Sequence, residues 1–426
     1  MRIWTGPLTF ALLLGILSLD AAQLRAEGLH RGLSIHHAMN WAKLSSPSAT
    51  TYLYPAFADN GHRIDVRELR TIRGAGFDFV RLTVDPGPFL QFEGAQRDDL
   101  DNVLLDRVRM ILAQDLSVIV DFHPNEQNEA YAPLKLVADA HSMLFAEYRD
   151  MVVRTARALA GLHDMRIWLE PMNEPQIGWN TENDHRWQAM LEGIYRDIRA
   201  VAPHLGLVLT GGSGGSAEGL LALNAAPFAA DSRATFTFHY YYPYAFTHQS
   251  IGARQFLNGI PYPAHPDSLP ESLQALAERI NNSSLAPEQR SSILRENERA
   301  LRAYFGSGFD RAALGKTFDQ VAEWATRYSI GGARILLGEF GVVRTYRGYR
   351  GARDEDRTRW LRDVREQAES RGYGWAIWVY RGEGGMAIFD ENRSQSGFDK
   401  ATLAALGLLP APSGAAPHES SCQAPC

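Results

Sequence analysis

The sequence predicts an α/β chain closed into a (β/α)8 TIM barrel, and three observations predict it. Eight short apolar runs have strand composition, stretches with helical spacing lie between them, and polar residues fall at the carboxyl ends of several different runs. Alternating strands and helices imply right-handed parallel crossovers, and eight such units close a barrel. An open doubly wound sheet is the competing architecture. It would spread the polar strand ends along an edge, whereas a barrel gathers them at one mouth.

In order, the strand runs are "RGLSI" at 31, "FDFVRLT" at 77, "SVIVDFH" at 117, "MRIWLEPMN" at 165, "GLVLTGG" at 206, "TFTFHYY" at 235, "RILLGEF" at 334 and "GWAIWVY" at 374. Helical spacing marks "VRELRTIRGAG", "LLDRVRMILAQ", "FAEYRDMVVRTARALAGL", "RWQAMLEGIYRDIRAV" and "RTRWLRDVREQAESRG". Residues 242 to 333 exceed an ordinary βα connection and hold too few strand-like residues for a second core. They predict a long excursion between strands six and seven that decorates the barrel mouth.

Residues 1–26 read as a signal peptide: Met1 and Arg2, an apolar run, then small residues that place cleavage near Ala22 or Ala26. The expected location is therefore secreted or periplasmic, with a retained interfacial anchor as the competing reading. The apolar run is too short to span a membrane, and no later segment is long and apolar enough to do so. Residues 27–410 form the expected catalytic barrel, and the Pro/Ala/Ser-rich residues 411–426 a disordered tail. The chain's two cysteines, Cys422 and Cys426, both lie in that tail, where they suit a local disulfide and make a poor metal site.

Basic and acidic residues, 43 and 49, are intermixed without a basic stripe, which argues against a nucleic-acid partner. "GGSGGS" at 211 has no Walker lysine and no dinucleotide-fingerprint spacing, so no cofactor is expected. No lysine falls in a strand run and no His/Asp ligand cluster marks the strand ends. Schiff-base and metal-dependent barrels are disfavoured accordingly.

The segment "IWLEPMNEPQ" spends Glu170, Asn173 and Glu174 at the end of a buried strand, where polar groups are expensive unless paired. Glu339 stands likewise at the end of run seven. Strand ends four and seven face each other across a barrel mouth, so two carboxyl groups would flank one pocket, as glycosidic bond cleavage requires. A lone glutamate is more often a solvated or helix-terminal charge, but Asn173 and Pro175 around Glu174, and the glycines around Glu339, fix the depth of each. Strand alternation puts His239 and Tyr241 on one face, with Tyr240 pointing away. A histidine and a phenol beside two carboxylates can decide which keeps its proton.

The motifs "WLEPMNEP", "LLGEFGV", "FHYYYP", "VIVDFHP" and "FVRLTVDP" resemble the strand-end motifs of glycoside hydrolase family 5, the cellulase-like retaining glycosidases, over about residues 31–389. The resemblance implies Glu174 as acid/base and Glu339 as nucleophile. It implies that Arg81 and His123 line the reacting subsite, that Asn173 binds the sugar 2-hydroxyl, that His239 and Tyr241 flank the carboxylates, and that Trp378 is an aromatic platform. Trp179 is a further candidate for sugar stacking. The first strand, "RGLSIHHAMNW", departs from the family's usual Arg-Gly-x-Asn, so His36, His37 and Asn40 are expected to serve packing or loop hydrogen bonding. Glu170 is expected to partner a barrel arginine.

The function expected is hydrolysis of β-glucan by an endo-β-1,4-glucanase, acting on a polysaccharide or oligosaccharide as a monomer without metal or cofactor. A β-mannanase, an exo-β-1,3-glucanase or a glycolipid glycosidase would use the same chemistry. A non-catalytic carbohydrate-binding barrel would have lost one carboxylate motif, and both motifs are complete.

Overall fold

The computed structural model describes residues 28–178, 185–345, 348–382, 384–390 and 397–408. The expected signal segment at residues 1–26, Trp179, and the expected tail at 411–426 with Cys422 and Cys426 lie outside the described residues. Eight parallel strands follow chain order around a closed barrel: β1 (Arg31–Met39), β2 (Phe79–Val84), β3 (Ser117–Phe122), β4 (Ile167–Glu170), β5 (Gly206–Thr210), β6 (Ala234–His239), β7 (Ile335–Phe340) and β8 (Gly374–Ile377). Arg31 to Leu33 pair with Trp375 to Ile377 and shut the ring. All eight expected runs are strands.

Alternation along the strands sorts their side chains into two separate apolar clusters. Val80 and Leu82, Val118 and Val120, Ile167 and Leu169, Leu207 and Leu209 join the large cluster with the helices. The intervening positions Phe79, Ile119, Trp168, Val208, Leu336 and Ala376 form a second cluster, the barrel floor. Burying an aliphatic or phenylalanine side chain of this kind contributes roughly 1.5–3 kcal/mol. One step further along the same inward face come Arg81, Asp121, Glu170 and Thr210, all buried. The floor therefore supports a polar layer just below the mouth.

Two differences in strand boundary from the sequence reading bear on the site. β1 continues to Met39, past a register shift against β2 between Ile35 and Met39, which brings His36 and His37 into the strand. β4 stops at Glu170 because Pro171 has no N–H to extend the ladder.

The helical stretches are the outer ring; Val66–Gly74, for example, begins with a capping box in which Asp65 accepts from the Glu68 N–H and Glu68 accepts from the Asp65 N–H. Between β6 and β7 the excursion carries helices Leu269–Asn281, Pro287–Gly306 and Arg311–Arg327, and no strand. Among the described residues no helix is long and apolar enough to cross a membrane.

Candidate active site

Arg81, fully buried on β2, is the hub of the polar layer. Its Nε and Nη2 donate to Glu170 at 2.8 and 3.0 Å, Nη2 also to Asn173 Oδ1 at 2.7 Å, and Nη1 to Glu339 Oε1 at 2.7 Å. Asp121 Oδ2 lies 3.0 Å from Nη2. Glu170 accepts in addition from Thr210 Oγ1 at 3.0 Å. A buried charge with this many partners is tolerable where a lone one is not. Glu170 at the end of a buried strand is thus the counter-ion that lets an arginine stand inside the barrel.

Glu339 reaches the pocket only because β7 is irregular. Leu336 faces inward, so strict alternation would send Gly338 inward and Glu339 out. The register shifts at this point against both neighbours: Leu337 pairs with Phe238 but Glu339 with His239, and Leu337 pairs with Trp375 but Phe340 with Ile377. Gly338 is the extra residue of a bulge that re-aims Glu339. A Cβ at Gly338 would sit 2.4 Å from Thr237 Oγ1 and 3.0 Å from His239 Nε2, so only glycine fits. Inside, Glu339 Oε2 accepts from the Tyr241 hydroxyl at 2.8 Å. Tyr240 points outward, stacked on Trp360 at 6.1 Å.

Glu174 has φ 40°, in the left-handed region that a glutamate rarely adopts. The glycine-rich 211–216 loop holds it there, since the Gly214 N–H donates to the Pro175 carbonyl at 3.0 Å and the Ser213 N–H to that of Ile177 at 2.7 Å. Asn173 is tied from the other side, its N–H donating to the Phe122 carbonyl at 2.8 Å. Glu174 Oε1 lies 2.8 Å from His239 Nδ1, which is 3.7 Å from Glu339 Oε2. Ligand atoms of Glu174, His239 and Glu339 all fall within 4.8 Å of one another. That spacing would suit a cation, but Glu339 is already engaged by a guanidinium and a phenol, which opposes one.

One wall of the pocket is aromatic. Trp378, just past β8, stacks on His123 at 5.5 Å with 13° between planes, and tilts against His36 at 4.8 Å. Trp41 Nε1 donates to His36 Nε2 at 2.7 Å, and His36 Nδ1 lies 2.8 Å from Thr83 Oγ1. Asn40 donates to the His123 carbonyl at 2.9 Å, and His37 Nε2 accepts from Arg381 at 3.1 Å. All three β1-end residues therefore serve loop hydrogen bonding. Beyond Trp378 and His36 a cavity of about 680 Å³ continues along Trp41, Lys43 and Arg381.

Burial dominates the electrostatics. It pushes His239 and His123 down to about 4, with Glu339 opposing in both, and holds His36 well below the usual range, so these imidazoles are neutral near pH 7. It raises the Glu174 carboxyl, with His123 and Arg81 opposing, and lifts Asp121 to about 7 against the pull of Arg81. Glu174 keeps 34% of its side chain exposed and Glu339 only 5%. One carboxyl sits at the pocket surface and the other in its floor.

The barrel mouth thus gathers Arg81, His123, Asn173, Glu174, His239, Tyr241, Glu339 and Trp378, while Trp179 lies outside the described residues. Trp187 turns away, buried, its indole N–H bonded to the Thr210 carbonyl at 2.8 Å. Asp121 and Thr210 escaped the sequence reading, which weighs the 211–216 loop only as a cofactor loop. Asp121 had a signal: two residues before His123, it shares that residue's strand face.

A family model described as cellulase (glycosyl hydrolase family 5) matches residues 39–384. Endoglucanase 3 of Fibrobacter succinogenes is 22% identical over 354 residues, which cover 78% of this chain and 48% of that protein, so the chain spans about half the relative's length. Endoglucanase C of Acetivibrio thermocellus is 23% identical over 339 residues, covering 78% of this chain and 87% of the relative. Among solved structures, Thermotoga maritima Cel5A in complex with cellobiose superposes with a TM-score of 0.59 at 19% identity, over 90% of this chain and 99% of that one. At that identity the likeness speaks for the fold.

Proposed function

Because the chain belongs to glycosyl hydrolase family 5, a family of retaining glycoside hydrolases, we propose that it is an exported endo-β-1,4-glucanase with Glu174 as acid/base and Glu339 as nucleophile. The observation that carries the assignment of roles is the asymmetry of the two carboxyl groups. Glu339 is buried and receives hydrogen bonds from Arg81 and Tyr241, donors suited to an attacking anion. Glu174 is partly exposed, has the neutral His239 as its side-chain partner among the described residues, and is raised by burial, as suits a group that must arrive protonated. The ligand-atom spacing within 4.8 Å is compatible with the ~5–5.5 Å carboxyl separation of retaining enzymes.

In the first step the Glu174 proton passes to the glycosidic oxygen as Glu339 attacks the anomeric carbon, forming a glycosyl ester and freeing the leaving sugar. In the second, the Glu174 carboxylate takes a proton from water, whose oxygen displaces Glu339. Asn173, held by Arg81, would donate to the sugar 2-hydroxyl, and Trp378 would lie under the reacting ring.

Endo action is supported by the cavity of about 680 Å³ beyond Trp378 and His36, which leaves room for further sugar rings. A time course on cellohexaose tests substrate and mode together. Cellotriose and cellotetraose among the first products, released as β-anomers, are expected; release of single glucose or cellobiose units only, or turnover of mannan with cello-oligosaccharides untouched, would overturn the assignment. Export is supported by the pattern in residues 1–26. Mass spectrometry of protein made with its own leader should find a mature N-terminus between about residues 21 and 30, and intact Met1 in the cytoplasm would refute it.

A further inference from the structure

Asp121 takes no part in the steps above, yet it is fully buried at the foot of the aromatic wall. Its Oδ2 lies 2.8 Å from His123 Nδ1 and 3.0 Å from Arg81 Nη2, while Oδ1 has no partner among the described residues. We propose that Asp121 is a positioning residue for recognition of the sugar 2-hydroxyl, acting through His123 on the amide of Asn173. The inference rests on the retaining-glucanase reading of this site.

Oδ2 can only accept from His123, so the imidazole proton is fixed on Nδ1 and Nε2 presents a lone pair. Asn173 Nδ2 lies 3.4 Å from that Nε2, and Asn173 Oδ1 takes the Arg81 hydrogen bond at 2.7 Å. The amide is thereby oriented from both ends, with oxygen toward Arg81 and nitrogen toward His123. One Nδ2 hydrogen is committed to the imidazole and the other is left for a ligand oxygen. With the opposite tautomer, Nε2–H would face the amide N–H₂, two donors head to head, and the amide would be driven out of line. The arrangement belongs to the ionised Asp121, the form favoured by the Arg81 guanidinium 3.0 Å from Oδ2. Trp378 stacked on His123 keeps the ring from rotating away.

The test compares aryl β-glucosides or cellobiosides with their 2-deoxy counterparts, whose intrinsic reactivity cancels in the ratio of kcat/KM between enzyme forms. Asp121→Ala should lower kcat/KM on the 2-hydroxy substrate about tenfold more than on the 2-deoxy one. Asp121→Asn, whose amide oxygen can still accept from His123, should restore most of the ratio. Equal losses on both substrates would reduce Asp121 to a structural residue and overturn the proposal. An independent readout is the ¹⁵N spectrum of the histidines, with His123 identified by its disappearance in His123→Gln. The proton should be on Nδ1 in the native enzyme and lose that preference in Asp121→Ala. An Nε2 proton in the native enzyme would overturn the proposal even if no β-glucoside proved to be a substrate, an outcome that would count separately against the functional reading.

Discussion

His239 presents Nδ1 to Glu174 at 2.8 Å, while its Nε2 is buried against the Gly338 bulge with no hydrogen-bond partner among the described residues. A buried unpaired lone pair costs less than a buried unpaired N–H here, since the proton on Nδ1 has a carboxylate to meet. The histidine thus favours the ionised form of Glu174, the state that activates water in the second step of the proposed mechanism.

A pH profile tests that relationship. Burial raises Glu174, so the acid form persists above the ordinary carboxylate value of about 4.3, and the alkaline limb of kcat/KM should lie above it. His239→Ala removes a donor to the charged form and should move the limb further up while lowering kcat. A limb that stays or moves down would mean that His239 does not act on Glu174.

Gly338→Ala tests the bulge. The added Cβ would meet Thr237 Oγ1 at 2.4 Å and cannot be housed without shifting the strand that carries Glu339, the proposed nucleophile. We expect a folded barrel by circular dichroism with kcat reduced about a hundredfold, the scale of a displacement near 1 Å at a reacting group. Near-native turnover would show that Glu339 does not depend on the irregularity.

Much of this architecture is legible in the sequence because buried parallel strands read as apolar runs and barrel mouths collect polar strand ends. Glu174, with Asn173 before it and Pro175 after, is legible for the same reason. The aim of Glu339 is not: period-two counting from Leu336 points it outward, and only the glycine inside "LLGEF" hints at a bulge. Asp121 hides within an apolar run, and its meaning depends on Arg81 and His123 arriving from two strands. "GGSGGS" looks like a phosphate loop in composition, yet its N–H groups bond the carbonyls of Pro175 and Ile177. Such contacts are set by three-dimensional register, which residue spacing does not encode.

Asp85 predicts a stability profile. Burial lifts it to about 6, against hydrogen bonds led by the Gly87 N–H, while an unfolded aspartate titrates near 3.9. Its folded value being the higher, its contribution is complete below about pH 4 and is lost as pH rises through 6, at most about 3 kcal/mol in all. Asp85→Asn should therefore flatten the fall in Tm between pH 4.5 and 7.5. An unchanged slope would exclude Asp85 as its source.

Glu170→Gln should be costly without touching the substrate. It removes a bidentate carboxylate from a fully buried arginine, a loss of about 3–5 kcal/mol in comparable pairs. Urea denaturation measures it, and a change below about 0.5 kcal/mol would mean that Asp121 and Glu339 suffice to hold Arg81.

The two glutamates should fail differently when removed, which separates their roles as well as establishing their need. Glu339→Gly abolishes the attacking carboxylate, so no glycosyl-enzyme forms and turnover of every natural substrate should vanish. Glu174→Ala should keep the first step on an aryl glycoside whose leaving group needs no proton, then stall, because nothing deprotonates the incoming water. Azide needs no deprotonation. In Glu174→Ala it should enter from the face the leaving group vacated, restore turnover and give the β-glycosyl azide. In Glu339→Gly it would occupy the emptied place of the carboxylate, displace an activated leaving group from the opposite face and give the α-azide. Chromatography and the anomeric coupling constant distinguish the products. Reversed anomers would exchange the roles assigned to the partly exposed and the buried glutamate; undiminished turnover in both variants would remove these two residues from the chemistry altogether.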